Sequence, residues 1–187
     1  MKLLIDPPIL YSRSKILLKP SLVPAKRGIY AWYFKEFPAI IPREGCIVKN
    51  NLTLLYIGIT PSNNNSTRNL RKRIINSHFR GNAKGSTLRL SLGVLLKDES
   101  NYPLRRVGNG ERMTFTKPGE EWLNNWMEEN AFVCWMQHPE PWEIEERVIM
   151  CISPPLNIKG NNNSFSTTLS DLRRDAKRIA RETPISN

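Results

Sequence analysis

The stretch Gly28-Ile29-Tyr30-Ala31-Trp32-Tyr33-Phe34 decides how the chain folds. It is aromatic and β-branched, so it reads as a strand with Tyr30, Trp32 and Phe34 on one face and Ile29, Ala31 and Tyr33 on the other. Both faces are apolar, which makes the strand central in its sheet. Residues 35–51 carry Pro38, Pro42 and Gly45 and read as a connection. Beyond them Leu52-Thr53-Leu54-Leu55-Tyr56-Ile57-Gly58-Ile59-Thr60 is a second strand, with Tyr56 and Gly58 sharing a face.

Helical spacing takes over downstream. Residues 67–80 place Leu70, Ile74 and Ser77 one above another, and Gly81 ends the run. Residues 85–96 form a shorter helix, and 98–110 are loop. Pro118 opens an amphipathic helix bearing Trp122, Leu123, Trp126 and Met127. Residues 131–136 are a third strand, and 142–152 are a helix halted by Pro154-Pro155. Asn161 to Ser164 link to a last helix, capped by Thr168, with Leu169, Leu172, Ala176 and Ile179 on one stripe and Arg173, Arg174, Lys177, Arg178 and Arg181 around it. The fold class is therefore α/β, about three strands flanked by helices. It divides into an arm over 1–26, a domain over 27–160 and a basic extension over 161–187.

Composition narrows the function. The 187 residues hold 28 Lys+Arg against 17 Asp+Glu, a formal net charge of +11, which attracts polyanions. The charge is segregated, with cations dense in 68–80, 84–89 and 173–181 and acids gathered in 111–129 and 140–146. No apolar run has the length of a membrane span, and the first ten residues lack a leader's cleavage site, so a cytoplasmic protein is expected. Three cysteines with no CxxC pair suggest neither a disulfide framework nor a zinc site.

One side chain calls for an explanation. At about 100° per residue, Ile144, Val148, Ile149, Cys151 and Ile152 form an apolar arc on the 142–152 helix, and Glu145 falls inside it. A carboxylate turned inward is costly unless it meets an arginine or a cation. A divalent metal held by one carboxylate, waters and a substrate phosphate satisfies it as well as an ion pair does.

Taken in order, Gly28-Ile29-Tyr30, Tyr56-Ile57-Gly58, a basic helix, Glu145, and Asn157 after a double proline resemble the GIY-YIG nucleases over most of the chain. The resemblance implies a small central antiparallel sheet flanked by helices, and a metal-dependent endonuclease that hydrolyses DNA to 5′-phosphate and 3′-hydroxyl ends, using one Mg²⁺ or Mn²⁺ on Glu145. Tyr30 and Tyr56 would hold, orient or deprotonate the attacking water, and the resemblance does not say which is the base. Arg73 would contact the scissile phosphate, with Arg71 as its near neighbour and rival. Asn157 would anchor the site by hydrogen bonds. His78 stands one position later than the family's helix His or Tyr, where this chain has Ser77, and reads either as a proton relay or as a structural histidine. Ile59 replaces a lysine common after the second tripeptide, and the connection between tripeptides is longer than usual. Arg68, Arg71, Lys72, Arg80, Lys84 and Arg89 border the expected site as phosphate contacts.

Three alternatives stay open on sequence alone. RNA carries the same phosphodiester linkage as DNA. A silent nucleic-acid-binding module would keep the fold without the chemistry, although Tyr30, Tyr56, an arginine and Glu145 are all present. An interaction protein would be basic for solubility only.

Overall fold

The computed structural model describes residues 1–186; Asn187, the end of the expected basic extension, lies outside the described residues. In chain order the elements are α1 (Lys2–Ile5), β1 (Tyr11–Ser12), α2 (Arg13–Ile16), β2 (Gly28–Phe34), β3 (Val48–Lys49), β4 (Leu52–Thr60), a π-helix (Lys72–Phe79), α3 (Thr87–Leu95), α4 (Lys97–Ser100), β5 (Arg105–Val107), β6 (Arg112–Thr114), α5 (Thr116–Asn130), β7 (Ala131–Gln137), α6 (Pro141–Ile152) and α7 (Phe165–Glu182). The main sheet runs β1-β7-β2-β4-β3, antiparallel throughout, and β5-β6 form a separate hairpin. The three long strands are the expected ones; the sheet reaches five because two-residue strands are added at each edge.

Both additions have local causes. Asn50 and Asn51 take the left-handed conformation (φ 50° and 60°), the two-residue turn that folds β3 back on β4. At the other edge the arm lays Tyr11 and Ser12 along β7, and the Tyr11 ring stacks on Trp135 at 4.9 Å. The Tyr33 hydroxyl donates to the carbonyl of Leu4 at 2.7 Å, which fixes α1 under the sheet.

Every residue of β2 is buried, as its two apolar faces require. Tyr30, Trp32 and Phe34 share one core with the π-helix, α3, α5 and the start of α7. Ile29, Ala31 and Tyr33 share the other with Leu4, Val148, Ile149 and Ile152. Burying a Trp, Phe or Leu is worth about 1.5–3 kcal/mol each, so these cores, rather than any surface pair, hold the sheet to its helices.

Four expectations change in detail. The 67–80 helix is largely a π-helix, its end marked by Arg80 N–H donating to the Ile75 carbonyl at 2.8 Å. The 98–110 loop contains α4 and one strand of the β5-β6 hairpin. α7 starts at Phe165, whose N–H is taken by the Asn163 side chain at 2.8 Å, so Thr168 is not its cap. Its buried stripe is Phe165, Leu169 and Ala180, whereas Ile179 is exposed, as is Cys151 on α6.

Candidate active site

Tyr30 lies opposite Gly58 across the β2-β4 ladder, and a Cβ at Gly58 would overlap the Tyr30 hydroxyl. Glycine is therefore what lets the phenol cross its neighbouring strand. Gly28 is constrained likewise, since a Cβ there would overlap the Met136 carbonyl of β7.

The Tyr30 hydroxyl accepts from Arg73 Nε at 3.2 Å and shares a hydrogen bond with His78 Nε2 at 2.9 Å. His78 Nδ1 in turn lies 2.8 Å from Ser86 Oγ, which also accepts the Arg89 N–H as the N-cap of α3. Tyr30 is 1% exposed, His78 0% and Ser86 1%, while Arg73 is half-buried. Burial pushes the Tyr30 phenol well above its ordinary range, and the neighbouring Tyr56 adds to that. Burial, then the Arg73 and Arg89 charges, hold His78 well below the usual histidine value. Both groups are thus neutral near pH 7.

The π-helix explains how His78 reaches Tyr30. An i→i+5 ladder brings the fifth residue round about one turn, so Arg73 and His78 share a face that an α-helix would have split. His78 thus reaches the Tyr30 hydroxyl from five residues after Arg73. Arg73, and not Arg71, meets Tyr30: Arg71 is exposed and its Nε donates to the Val23 carbonyl at 2.8 Å. Arg73 also donates from Nη1 to Gly85 O at 3.0 Å and stands beside Tyr56.

Tyr56 belongs to a different environment. It lines a cleft of about 650 Å³ together with Thr87, Trp142, Glu145, Asn157, Lys159, Arg173, Lys177 and Arg181. Its hydroxyl is 3.2 Å from Thr87 Oγ1, so consecutive residues at the start of α3, Ser86 and Thr87, hold the two tyrosine networks. Asn157 sits at the floor of the cleft, buried, and clamps the middle of β4. Ile57 N–H donates to Asn157 Oδ1, and Asn157 Nδ2 donates to the Ile57 carbonyl, both at 2.8 Å. The side-chain amide acts as a missing neighbour strand between Tyr56 and Gly58.

Glu145 is half-buried in the cleft wall. Burial pushes its carboxyl above the ordinary value, only partly offset by Lys159. It forms no ion pair within 4.0 Å among the described residues, where no cluster of three or more His, Cys, Asp or Glu occurs either. A desolvated carboxylate without a cationic partner fits a metal held mainly by water and substrate, and does not fit an all-protein cage.

Of the expected phosphate contacts, Arg68, Arg71, Lys72, Arg80 and Lys84 are exposed. Arg89 is not available: it is fully buried and spends its guanidinium inside the protein. It donates to Glu120 Oε2 at 2.6 Å and 3.0 Å, to Asn124 Oδ1 at 2.8 Å and to the His78 carbonyl at 3.1 Å. Its charge had suggested a surface role, but its place beside Leu88, Leu90 and Leu92 in α3 turns it inward. Sequence reading also passed over Ser86 and Thr87, which their helix-capping position could have singled out, and did not bring the α7 cations to the cleft.

A curled antiparallel sheet with two same-face tyrosines, an arginine from a neighbouring helix and an inward glutamate defines a mixed α/β domain with a polar reaction cleft. The family model of the GIY-YIG catalytic domain matches residues 28–175, and the chain belongs to that family. No curated protein and no solved structure matches it. The family is generally one of endonucleases, which gives this chain a nuclease-type activity on nucleic acid at the level of the family. No helix among the described residues is long and apolar enough to cross a membrane.

Proposed function

We propose that the protein is a metal-dependent endonuclease that hydrolyses DNA phosphodiester bonds in the cytoplasm, with the chemistry carried by residues 27–160. The observation that carries this reading is the meeting of Tyr56 and Glu145 in one cleft whose floor is clamped by Asn157, with Arg73 beside the phenol.

Roles follow from exposure. Tyr56 faces the cleft and is the phenol able to hold a water in line with the scissile phosphorus. Tyr30, sealed and neutral, instead fixes Arg73 through its hydroxyl. Arg73 presents its guanidinium to the phosphoryl oxygens and offsets the negative charge that builds as water adds. His78 is a positioning residue, holding Tyr30 from below. Nucleases of this family typically use divalent ions, and Glu145 would hold one Mg²⁺ or Mn²⁺, whose contribution there is to polarise the phosphate and stabilise the departing oxygen. The P–O3′ bond breaks as the water oxygen bonds to phosphorus, leaving 5′-phosphate and 3′-hydroxyl ends. The exposed cations Arg68, Arg71, Lys72, Arg80 and Lys84 serve as phosphate contacts along the flank.

The test is nicking of supercoiled plasmid with Mg²⁺. Wild type should nick, the nicks should be sealed directly by DNA ligase, and Glu145→Ala should lose at least about 10²-fold in rate. Binding without nicking by wild type would leave the silent-module alternative; nicking that survives Glu145→Ala would refute the site.

A further inference from the structure

The cations of α7 fall into two sets. One set is already paired: Arg174, which also lines the cleft, pairs with Asp171 at 2.8 Å, and Arg178, on the outer face, pairs with Asp175 at 3.6 Å and Glu182 at 3.0 Å. On the inner face Arg173, Lys177 and Arg181 line the cleft that holds Tyr56 and Glu145, and none has an acidic partner within 4.0 Å among the described residues. A helix that merely needed solubility would not leave its unpaired charges on the side facing a cleft.

These inner cations are also crowded. Arg173 is half-buried and lies near enough to the Tyr56 phenol to feel it, although burial still holds its guanidinium below the ordinary value. Burial, then Arg173, Arg181 and Lys84 in turn, hold Lys177 below the usual lysine range. Such mutual repulsion is relieved by an anion between the charges.

The helix that carries them is fixed in place. Phe165, Leu169 and Ala180 are buried in the main core. At its far end Arg106 donates to the carbonyls of Ala180 at 3.2 Å and Thr183 at 3.1 Å, and Arg105 donates to that of Pro184 at 2.9 Å. The β5-β6 hairpin thus caps α7 where helix carbonyls lack partners and where the helix dipole favours cations.

Resting on the nuclease reading above, we propose that α7 is a phosphate clamp forming the second wall of the cleft. Arg173, Lys177 and Arg181 grip backbone phosphates of the DNA strand whose scissile bond lies at Tyr56. They stand at i, i+4 and i+8, a stripe of about 12 Å. One strand of duplex carries a phosphate about every 3.4 Å along its axis, so the stripe spans roughly three to four of them. Arg173 is the inner end, next to the reacting phosphate, and Arg181 the outer. The clamp reads charge and spacing only, and sets the strand's register over Glu145.

Lys177 and Arg178 are adjacent in sequence, equal in charge and differ in the face they occupy, which gives a matched test. Full-length protein is titrated with a fluorescein-labelled DNA duplex by anisotropy, without divalent metal, over a range of salt. Lys177→Gln should weaken binding about 5- to 10-fold at 0.1 M salt and lower the log–log salt slope by about 1. The double variant Lys177→Gln/Arg181→Gln should lower it by about 2. Arg178→Gln should change affinity less than about 2-fold, because its charge is already shared with Asp175 and Glu182. Equal effects of Lys177→Gln and Arg178→Gln, or an unchanged slope in the double variant, would overturn the clamp. Because binding is read without turnover, the two readings fail separately. A duplex-binding protein with the expected slopes that never cuts keeps the clamp and loses the nuclease. One that cuts with unaltered slopes keeps the nuclease and loses the clamp.

Discussion

Tyr30 and Tyr56 stand on paired strands and face the same side of the sheet, yet they belong to opposite kinds of surroundings. Around Tyr30 the hydroxyl is held by protein groups alone: Arg73, His78 and Ser86 form a hydrogen-bonded chain. Around Tyr56 the partners are few and the charges unmatched, with Glu145 on one wall of the cleft and the inner α7 cations on the other. The difference teaches where this protein invests in rigidity and where it leaves capacity for a ligand. Closed hydrogen bonding holds one end still, while unmatched charge at the other is what the proposed metal and phosphate would satisfy.

The clamp between the two ends offers the largest stability effect. Asn157→Ala would leave both Ile57 backbone groups buried without partners, each costing about 1–3 kcal/mol, so urea unfolding should show a loss of about 2–6 kcal/mol. Cleavage should fall with it, since Tyr56 and Gly58 flank the released residue. A loss under about 0.5 kcal/mol would mean that water replaces the amide and the clamp is dispensable.

Exchanging each phenol for phenylalanine sharpens the contrast. Tyr30→Phe strips a hydroxyl from buried His78 and half-buried Arg73, and should cost about 1–3 kcal/mol in stability. Tyr56→Phe loses a single long hydrogen bond to Thr87 at a cleft edge, so stability should move by about 0.5 kcal/mol or less while cleavage drops steeply. If the two variants lost stability equally, the distinction between a sealed and an open end would fail.

The smallest effects are those of pH. Glu145 has its folded-state value raised, so its contribution to stability is present below the unfolded value of 4.5 and is lost as pH rises through the folded one. Near pH 7, without metal, Glu145→Gln should therefore be more stable than wild type, and below about pH 4.5 the gain should vanish. His78 has the opposite sign: its folded value is depressed, so its contribution is present above 6.5 and is lost as pH falls. Acidifying wild type from pH 6.5 should lower its denaturation midpoint, and His78→Gln should flatten that decline. A steeper decline in the variant would contradict the burial of a neutral imidazole.

Much of this was legible from residue patterns. The alternation of 28–34 placed Tyr30, Trp32 and Phe34 together because a strand's period of two admits no other arrangement. The wheel of α6 singled out Glu145 because one carboxylate broke an apolar arc. The edge strands were harder: β3 depends on an Asn50-Asn51 turn that resembles any polar loop, and β1 lacks enough residues to show a period. The π-helix was not legible, since an i→i+5 ladder has no composition of its own and depends on tertiary packing of Ile74, Ile75 and Phe79. Arg89 misled because a cation in a basic run looks solvated until its partner Glu120, distant in sequence, is brought beside it. For the same reason the inner and outer cations of α7 could not be told apart from sequence: which face meets the cleft is set by a fold in which Phe165 and Leu169 are already buried.

Anomalous scattering from crystals grown with Mn²⁺ and a short duplex tests the site most directly. The expected map has one strong peak within about 2.2 Å of a Glu145 carboxylate oxygen, in the cleft facing Tyr56. A protein that cleaves DNA under the same conditions while its manganese peak lies elsewhere, or is absent from Glu145, would contradict the assignment.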